Sequence, residues 1–286
     1  DEMGARRDGI VMVHTSLRSV GQIEGGGEGL LDALVEYFTA EGGLLLVPTH
    51  TWANLFDPEK ITLDMTASET NLGAFSSIAA RDKRALRSEN PTHSLAIFGN
   101  RERAEKFAEN ETRLLTPTAS DSCAGKLFSE GGSVLLIGVS QSANTYLHAV
   151  DEILGVWDRI SDERLTVTVK KPSGEISERE WYLYDESAGD LSYRFPKFDT
   201  AFRYHGCVTD GYVGRAPARL CDAVKMKVLS IGEDGKISLS IKRALPPEKK
   251  SEDAPHRERK GAPVKASIDS TYTWTPKKSE PASFEE

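Results

Sequence analysis

Short apolar runs, bounded by glycine, proline or small polar residues, recur through the first half of the chain. Gly9-Ile-Val-Met-Val-His14, Leu44-Leu-Leu-Val47, Leu95-Ala-Ile-Phe98 and Ser133-Val-Leu-Leu-Ile-Gly-Val139 are continuous rather than alternating, as expected of strands buried on both faces. Between them the apolar spacing lengthens. Leu30, Leu31, Leu34, Val35 and Phe38 form a helical stripe after Gly25-Gly-Gly-Glu-Gly29, and Gly42-Gly43 end it. Phe75, Ile78 and Ala79 mark a short helix, residues 101–109 a surface helix with Ala104, Phe107 and Ala108 inward, and 123–129 another short helix. Strand, glycine loop, helix and strand make a βαβ unit, which predicts an α/β chain with a mostly parallel central sheet.

After Asp158 the texture changes. Leu165, Val167 and Val169 alternate with polar residues, Pro172-Ser-Gly174 turns the chain and Trp181-Tyr-Leu-Tyr184 returns. This predicts an antiparallel hairpin added to the flank of the sheet. Residues 195–204 read as helical, 207–212 as a short strand, and Ala216 to Val224 as a helix with Leu220 and Val224 inward. A second hairpin is expected over 226–241, about an Asp234-Gly235 turn. From Pro246 to Glu286 the chain is rich in Pro, Lys, Glu and Ser with no apolar period, so a disordered tail is expected.

Composition narrows the classes. The 286 residues carry a net charge of −8, which argues against a general nucleic-acid binder and suits a cationic substrate. Cys123, Cys207 and Cys221 have no close spacing, so neither a disulfide framework nor a metal site is indicated. No apolar run approaches membrane-spanning length and no signal-peptide pattern is present, so a cytoplasmic protein is expected. The chain opens Asp1-Glu-Met rather than on an initiator methionine, which points to residues upstream.

The chemistry is expected in Asn144-Thr-Tyr-Leu-His-Ala-Val-Asp-Glu152, where the 133–139 strand empties into a helix. Open α/β sheets place ligands at that edge. Asn144 or Thr145 can cap the helix. His148 and Asp151 share a helical face, the pairing of a general base with an orienting carboxylate. Thr145, or backbone N–H groups nearby, could stabilise an oxyanion. A thiol triad of Cys123, His148 and Asp151 is the alternative, because Cys123 opens a predicted helix. The glycine loop lacks the Lys of a P-loop and the spacing of a dinucleotide fingerprint. His50 and His93 are expected to be hydrogen-bonded structural histidines.

Several segments together resemble one family. His14-Thr-Ser-Leu-Arg-Ser-Val-Gly21, Val47-Pro-Thr-His-Thr51, Asn90-Pro-Thr-His-Ser94, Gly125-Lys-Leu127 before Val134-Leu-Leu-Ile-Gly138, and Asn144-Thr-Tyr-Leu-His148 look like the aminoglycoside 3-N-acetyltransferase family, in its order and spacing. The resemblance implies an α/β/α fold, acetyl-coenzyme A as donor, and transfer to the 3-amino group of an aminoglycoside or another cationic amine. It implies that the loop of Thr15, Ser16, Leu17 and Arg18 lines the pantetheine and thioester end of the donor. Ser94 is also expected at the donor and Asp57, Tyr146 and Glu152 at the acceptor, with Glu59 and Asp151 as further carboxylates to hold a polyamine. The family usually places Glu three residues after the histidine; here Asp151 stands there, with Glu152 beside it. The expected organisation is an acetyltransferase domain over 1–223, a C-terminal hairpin over 224–245 and the tail over 246–286. Val224 to Lys242 also resembles the last two strands of an RNA-binding OB-type repeat of a ribosomal protein, so a non-catalytic RNA-binding role is the reading from another class.

Overall fold

The computed structural model describes residues 2–51, 62–66, 70–156, 159–185, 190–226, 230–231 and 237–238. The body is a seven-stranded sheet between two helical layers. Strand β1 (Ile10–Thr15) lies at its centre, with β2 (Leu44–Pro48) on one side. The short helix α1 (Leu17–Val20) and the longer α2 (Gly26–Thr39) connect them. Strand β3 (Thr62–Asp64) and helix α3 (Ala74–Arg81) precede β4 (Leu86–Arg87) and β5 (Leu95–Phe98). Helices α4 (Arg101–Ala108) and α5 (Lys126–Ser129) lead to β6 (Ser133–Ile137), which pairs with the other side of β1. The parallel expectation holds in the centre, where β2, β1 and β6 run together. The flanking strands join antiparallel, so the sheet as a whole is mixed.

Continuous apolar runs are what a two-faced sheet requires. In β1, Ile10 and Met12 face one core with Leu44, Leu46, Val134 and Leu136. Val11 and Val13 face the other with Leu45, Val47, Leu135 and Ile137. Helices α2 and α3 close this second core through Leu30, Leu31, Leu34, Phe38, Phe75 and Ala79. The first is closed by Phe107 of α4, Leu127 of α5 and residues of α6 (Tyr146–Ile153).

Two sequence expectations fail beyond residue 158. The hairpin of β7 (Ile160–Lys170) and β8 (Ile176–Tyr184) forms, but it does not extend the main sheet. It pairs with β3 in a separate three-stranded sheet, over a small core of Leu114, Val167 and Trp181. Its alternating pattern has one face to bury, and β3 supplies an edge for it. Then come a 3-10 segment (Leu191–Phe198), α7 (Asp199–Tyr204) and β9 (Val208–Val213). Residues 216–222, expected as helix, are strand β10 (Ala216–Asp222), held between β6 and β9. Ala216, Ala218 and Cys221 are buried there, and tertiary pairing overrides the helical reading. Helix α8 (Ala223–Met226) follows, and β11 (Ser230–Ile231) pairs antiparallel with β12 (Ile237–Ser238). The region expected to be a disordered tail, 246–286, lies outside the described residues.

One glycine shapes the end of the central strands. Gly138 ends β6 at φ +66°, and a Cβ there would sit 2.4 Å from the Cβ of Ser19. Only glycine takes this backbone at no steric cost, and it delivers the chain to the sheet's carboxyl edge.

Candidate active site

A cavity of about 820 Å³ opens at that edge, within the range of ligand sites. The carboxyl ends of the three parallel strands supply one wall. These are His14 and Thr15 of β1, Pro48 and His50 after β2, and Val139 and Ser142 after β6. The opposite wall brings Thr145 and His148 of α6, Arg159, Leu183 and Tyr184 of β8, and Ser192 of the 3-10 segment. His93, from the turn before β5, completes a group of four imidazoles around the space.

Helix α6 is started by Asn144, whose Oδ1 accepts the backbone N–H of Tyr146 at 3.2 Å. Thr145 makes no cap bond through its side chain and lies on the cavity wall. One turn on, His148 is packed by rings: Tyr184 stacks on it at 5.2 Å between centroids and Phe195 meets it edge-on at 4.9 Å. Both ring nitrogens are engaged. Arg159 Nη2 donates to Nδ1 at 3.1 Å, and Nε2 lies 3.0 Å from Ser192 Oγ. A guanidinium can only donate. Nδ1 is therefore the acceptor, and the proton of the neutral ring sits on Nε2.

The carboxylates of α6 do not touch this ring directly. Asp151 reaches Arg159 Nε at 3.4 Å, so its link to His148 runs through the guanidinium. Burial pushes the Asp151 carboxyl up to about 6 despite the nearby cation. Glu152 turns the other way. It accepts from Thr116 Oγ1 at 2.5 Å, from the Thr118 N–H at 2.8 Å and from Tyr184 Oη at 3.2 Å. It thereby holds the ring that stacks on His148, and it does not line the cavity. Tyr146 also points away: it is fully buried and donates its hydroxyl to the Ala223 carbonyl at 2.7 Å.

The residues expected to serve the donor separate similarly. Thr15 lines the cavity. Ser16 starts α1, Leu17 packs against the second core and Arg18 is exposed. Ser94 is buried behind the wall, where its hydroxyl donates to the Thr49 carbonyl at 2.9 Å. Arg87 Nη2 donates to the same carbonyl at 3.1 Å. Asp57 and Glu59 lie outside the described residues. Cys123 is fully buried, and burial beside Glu111 pushes its thiol well above the ordinary range. That environment gives an inert thiol and removes the Cys123 triad.

His50 and His93 both line the cavity. Their rings lie 4.5 Å apart, and His93 Nδ1 bonds Thr92 Oγ1 at 2.9 Å. Among the described residues, His14 Nε2, Thr15 Oγ1 and His50 Nε2 are buried at the cavity without a hydrogen-bond partner. Burial holds His14 at about 3. It also depresses His50 and His148, helped by neighbouring imidazoles and, for His148, by Arg159. All are neutral at pH 7.

Fold and cavity together define a three-layer α/β protein with a candidate site at the ends of its parallel strands. The chain belongs to the aminoglycoside 3-N-acetyltransferase family, whose profile matches residues 12–229, a family of acyltransferases. It is 31% identical over 149 residues to aminoglycoside N(3)-acetyltransferase IV of Salmonella sp, an alignment covering 52% of this chain and 54% of that enzyme. It thus spans about half the length of that relative. The structure of aminoglycoside acetyltransferase AAC-IIIb with CoASH superposes with a TM-score of 0.64 at 25% identity, covering 78% of this chain and 88% of that one. A histidine-to-alanine mutant of AAC(3)-IVa in complex with gentamicin superposes with a TM-score of 0.60 at 26% identity, covering 78% and 80%.

Proposed function

We propose that this protein transfers an acetyl group from acetyl-coenzyme A to the 3-amino group of an aminoglycoside, directly and with His148 as general base. The observation that carries the proposal is a neutral imidazole on the wall of the cavity, in a family with solved coenzyme A and gentamicin complexes. An amine is protonated near neutrality and must lose a proton before its nitrogen can attack. His148 takes that proton and later returns it to solvent; the C–N bond forms, and as the C–S bond breaks the second proton lost from nitrogen passes to sulfur, so coenzyme A leaves as the thiol. Proton transfer of this kind is worth roughly 10²–10⁴-fold.

The strand-end wall fits the donor. Its unpartnered groups, Thr15 Oγ1 and the His14 and His50 Nε2 atoms, suit the amide and thioester groups of a pantetheine arm. Thr145, on the cavity wall beside His148, is placed to meet the developing oxyanion. Leu17 and Arg18 contribute to the donor site through α1 rather than from the cavity wall. We assign the activity to the cytoplasm, where acetyl-coenzyme A is made; three buried free thiols suit that compartment. Thiol release from acetyl-coenzyme A across a panel of aminoglycosides and simple amines tests the function. Release that depends on an aminoglycoside is expected; a panel with no aminoglycoside-dependent release overturns it.

A further inference from the structure

If His148 accepts a proton through Nε2, that nitrogen needs a lone pair, and the Arg159 contact at Nδ1 assigns it a proton instead. Arg159 Nη2 donates to Nδ1 at 3.1 Å, which leaves the hydrogen on Nε2, against Ser192 Oγ at 3.0 Å. The carboxylate that would hold the opposite tautomer is one helical turn away. Asp151 shares the His148 face of α6 and is occupied by Arg159 Nε at 3.4 Å.

We propose that Arg159 is a positioning residue that sets the tautomer of His148. It holds the ring in a resting Nε2–H form, and its withdrawal lets Asp151 take Nδ1–H and frees Nε2 as the proton acceptor. The inference rests on the reading of His148 as base and adds the step that arms it. The exchange has a second consequence. It replaces a cation beside the imidazole by an anion, which moves the ring toward the neutral range where a general base works best.

Arg159 is nearly fully buried, its guanidinium lies 4.8 Å from the Tyr184 ring centroid, and Nε makes no close hydrogen bond. Its ties to α6 are the Nη2 bond to His148 at 3.1 Å and the longer Nε contact to Asp151 at 3.4 Å, and these are the two the exchange breaks. The other titratable and charged groups around the imidazole are His50 and His93 from the strand ends, Tyr184 from β8, Asp190 and Lys197 from the 3-10 segment, and Glu152 on α6 itself. Glu152 is committed to Thr116 and Thr118, so Asp151 is the carboxylate available for the exchange.

The test is ¹⁵N-histidine NMR on the full chain, with His148 assigned by the signal lost in H148Q. The free wild-type protein is expected to show the Nε2–H tautomer. Addition of coenzyme A with an aminoglycoside is expected to convert it to Nδ1–H. R159M is expected to show Nδ1–H without ligand, and the acid limb of its kcat/KM profile should rise by on the order of one pH unit. R159K, which restores a donor, should return the Nε2–H signal. An Nδ1–H signal in the free wild-type protein overturns the proposal. So does an R159M protein with unchanged spectrum and profile. If R159M does not fold, the wild-type spectra decide alone: an Nε2–H signal that persists with coenzyme A and an aminoglycoside both bound overturns the proposal. If H148A keeps its rate while the wild-type spectrum shows Nε2–H, the base assignment falls and the tautomer assignment stands.

Discussion

The two walls of the cavity are built on opposite terms. On the strand-end wall, His14, Thr15 and His50 present polar atoms with no partner in the protein. On the helical wall, both nitrogens of His148 are bonded, and Glu152 satisfies Thr116, Thr118 and Tyr184 at once. A buried polar atom without a partner costs free energy, and a wall that tolerates such atoms is organised to meet a ligand. On the helical wall Arg159 Nε is the exception, and the bonded groups around it hold one another in place. On the proposed reading, binding falls to the strand ends and proton handling to the helix.

Substitutions on the two walls should therefore differ in kind. The largest effect is expected from H148A, which should lower the acetyl-transfer rate by roughly 10²–10⁴-fold with little change in donor affinity, measured by thiol release and by coenzyme A titration. A variant retaining most of the wild-type rate would place the proton acceptor elsewhere, with His50 first in line. E152Q should weaken several charge-assisted bonds and loosen Tyr184, costing about 1–3 kcal/mol in denaturant unfolding while donor affinity is held. An unchanged midpoint would mean that the helical wall does not depend on this carboxylate.

Acid should act on the strand-end wall next. His14 is held at about 3 against an ordinary value of 6.5, so between these values the unfolded chain binds a proton that the folded protein does not. Its contribution to stability is complete above pH 6.5 and is lost as pH falls through this window, at about 1.4 kcal/mol per pH unit. H14Q should flatten the slope of stability against pH by that amount over the same interval; an unaltered slope would show that the ring is protonated in the folded state. The smallest effect is expected from H50A. A few-fold rise in the KM for acetyl-coenzyme A, about 1 kcal/mol or less, should come with a nearly constant kcat. A fall in kcat with unchanged KM would blur the division between the walls.

Much of the frame was legible in the sequence because burial on two faces leaves continuous apolar runs, and β1, β2, β5 and β6 all carry them. The strand at 216–222 was not legible. Ala-Pro-Ala-Arg-Leu-Cys-Asp has no strong period of its own, and its state is set by pairing with β6 and β9. The site divides in the same way. His148 and its strand-to-helix setting could be found because they are local. Arg159 and Ser192 reach His148 from 11 and 44 residues away, and nothing in their own neighbourhoods marks them. The spacing of His148 and Asp151 correctly put both on one face, but no spacing could show a guanidinium between them.

The separate sheet of β3, β7 and β8 carries Leu183 and Tyr184 into the cavity, whereas the strand-end wall belongs to the main sheet. The chamber is thus lined by two independently hydrogen-bonded scaffolds. Replacements along the smaller one can reshape what the chamber admits without disturbing the register of the larger, so acceptor range and structural integrity can diverge separately as the sequence drifts.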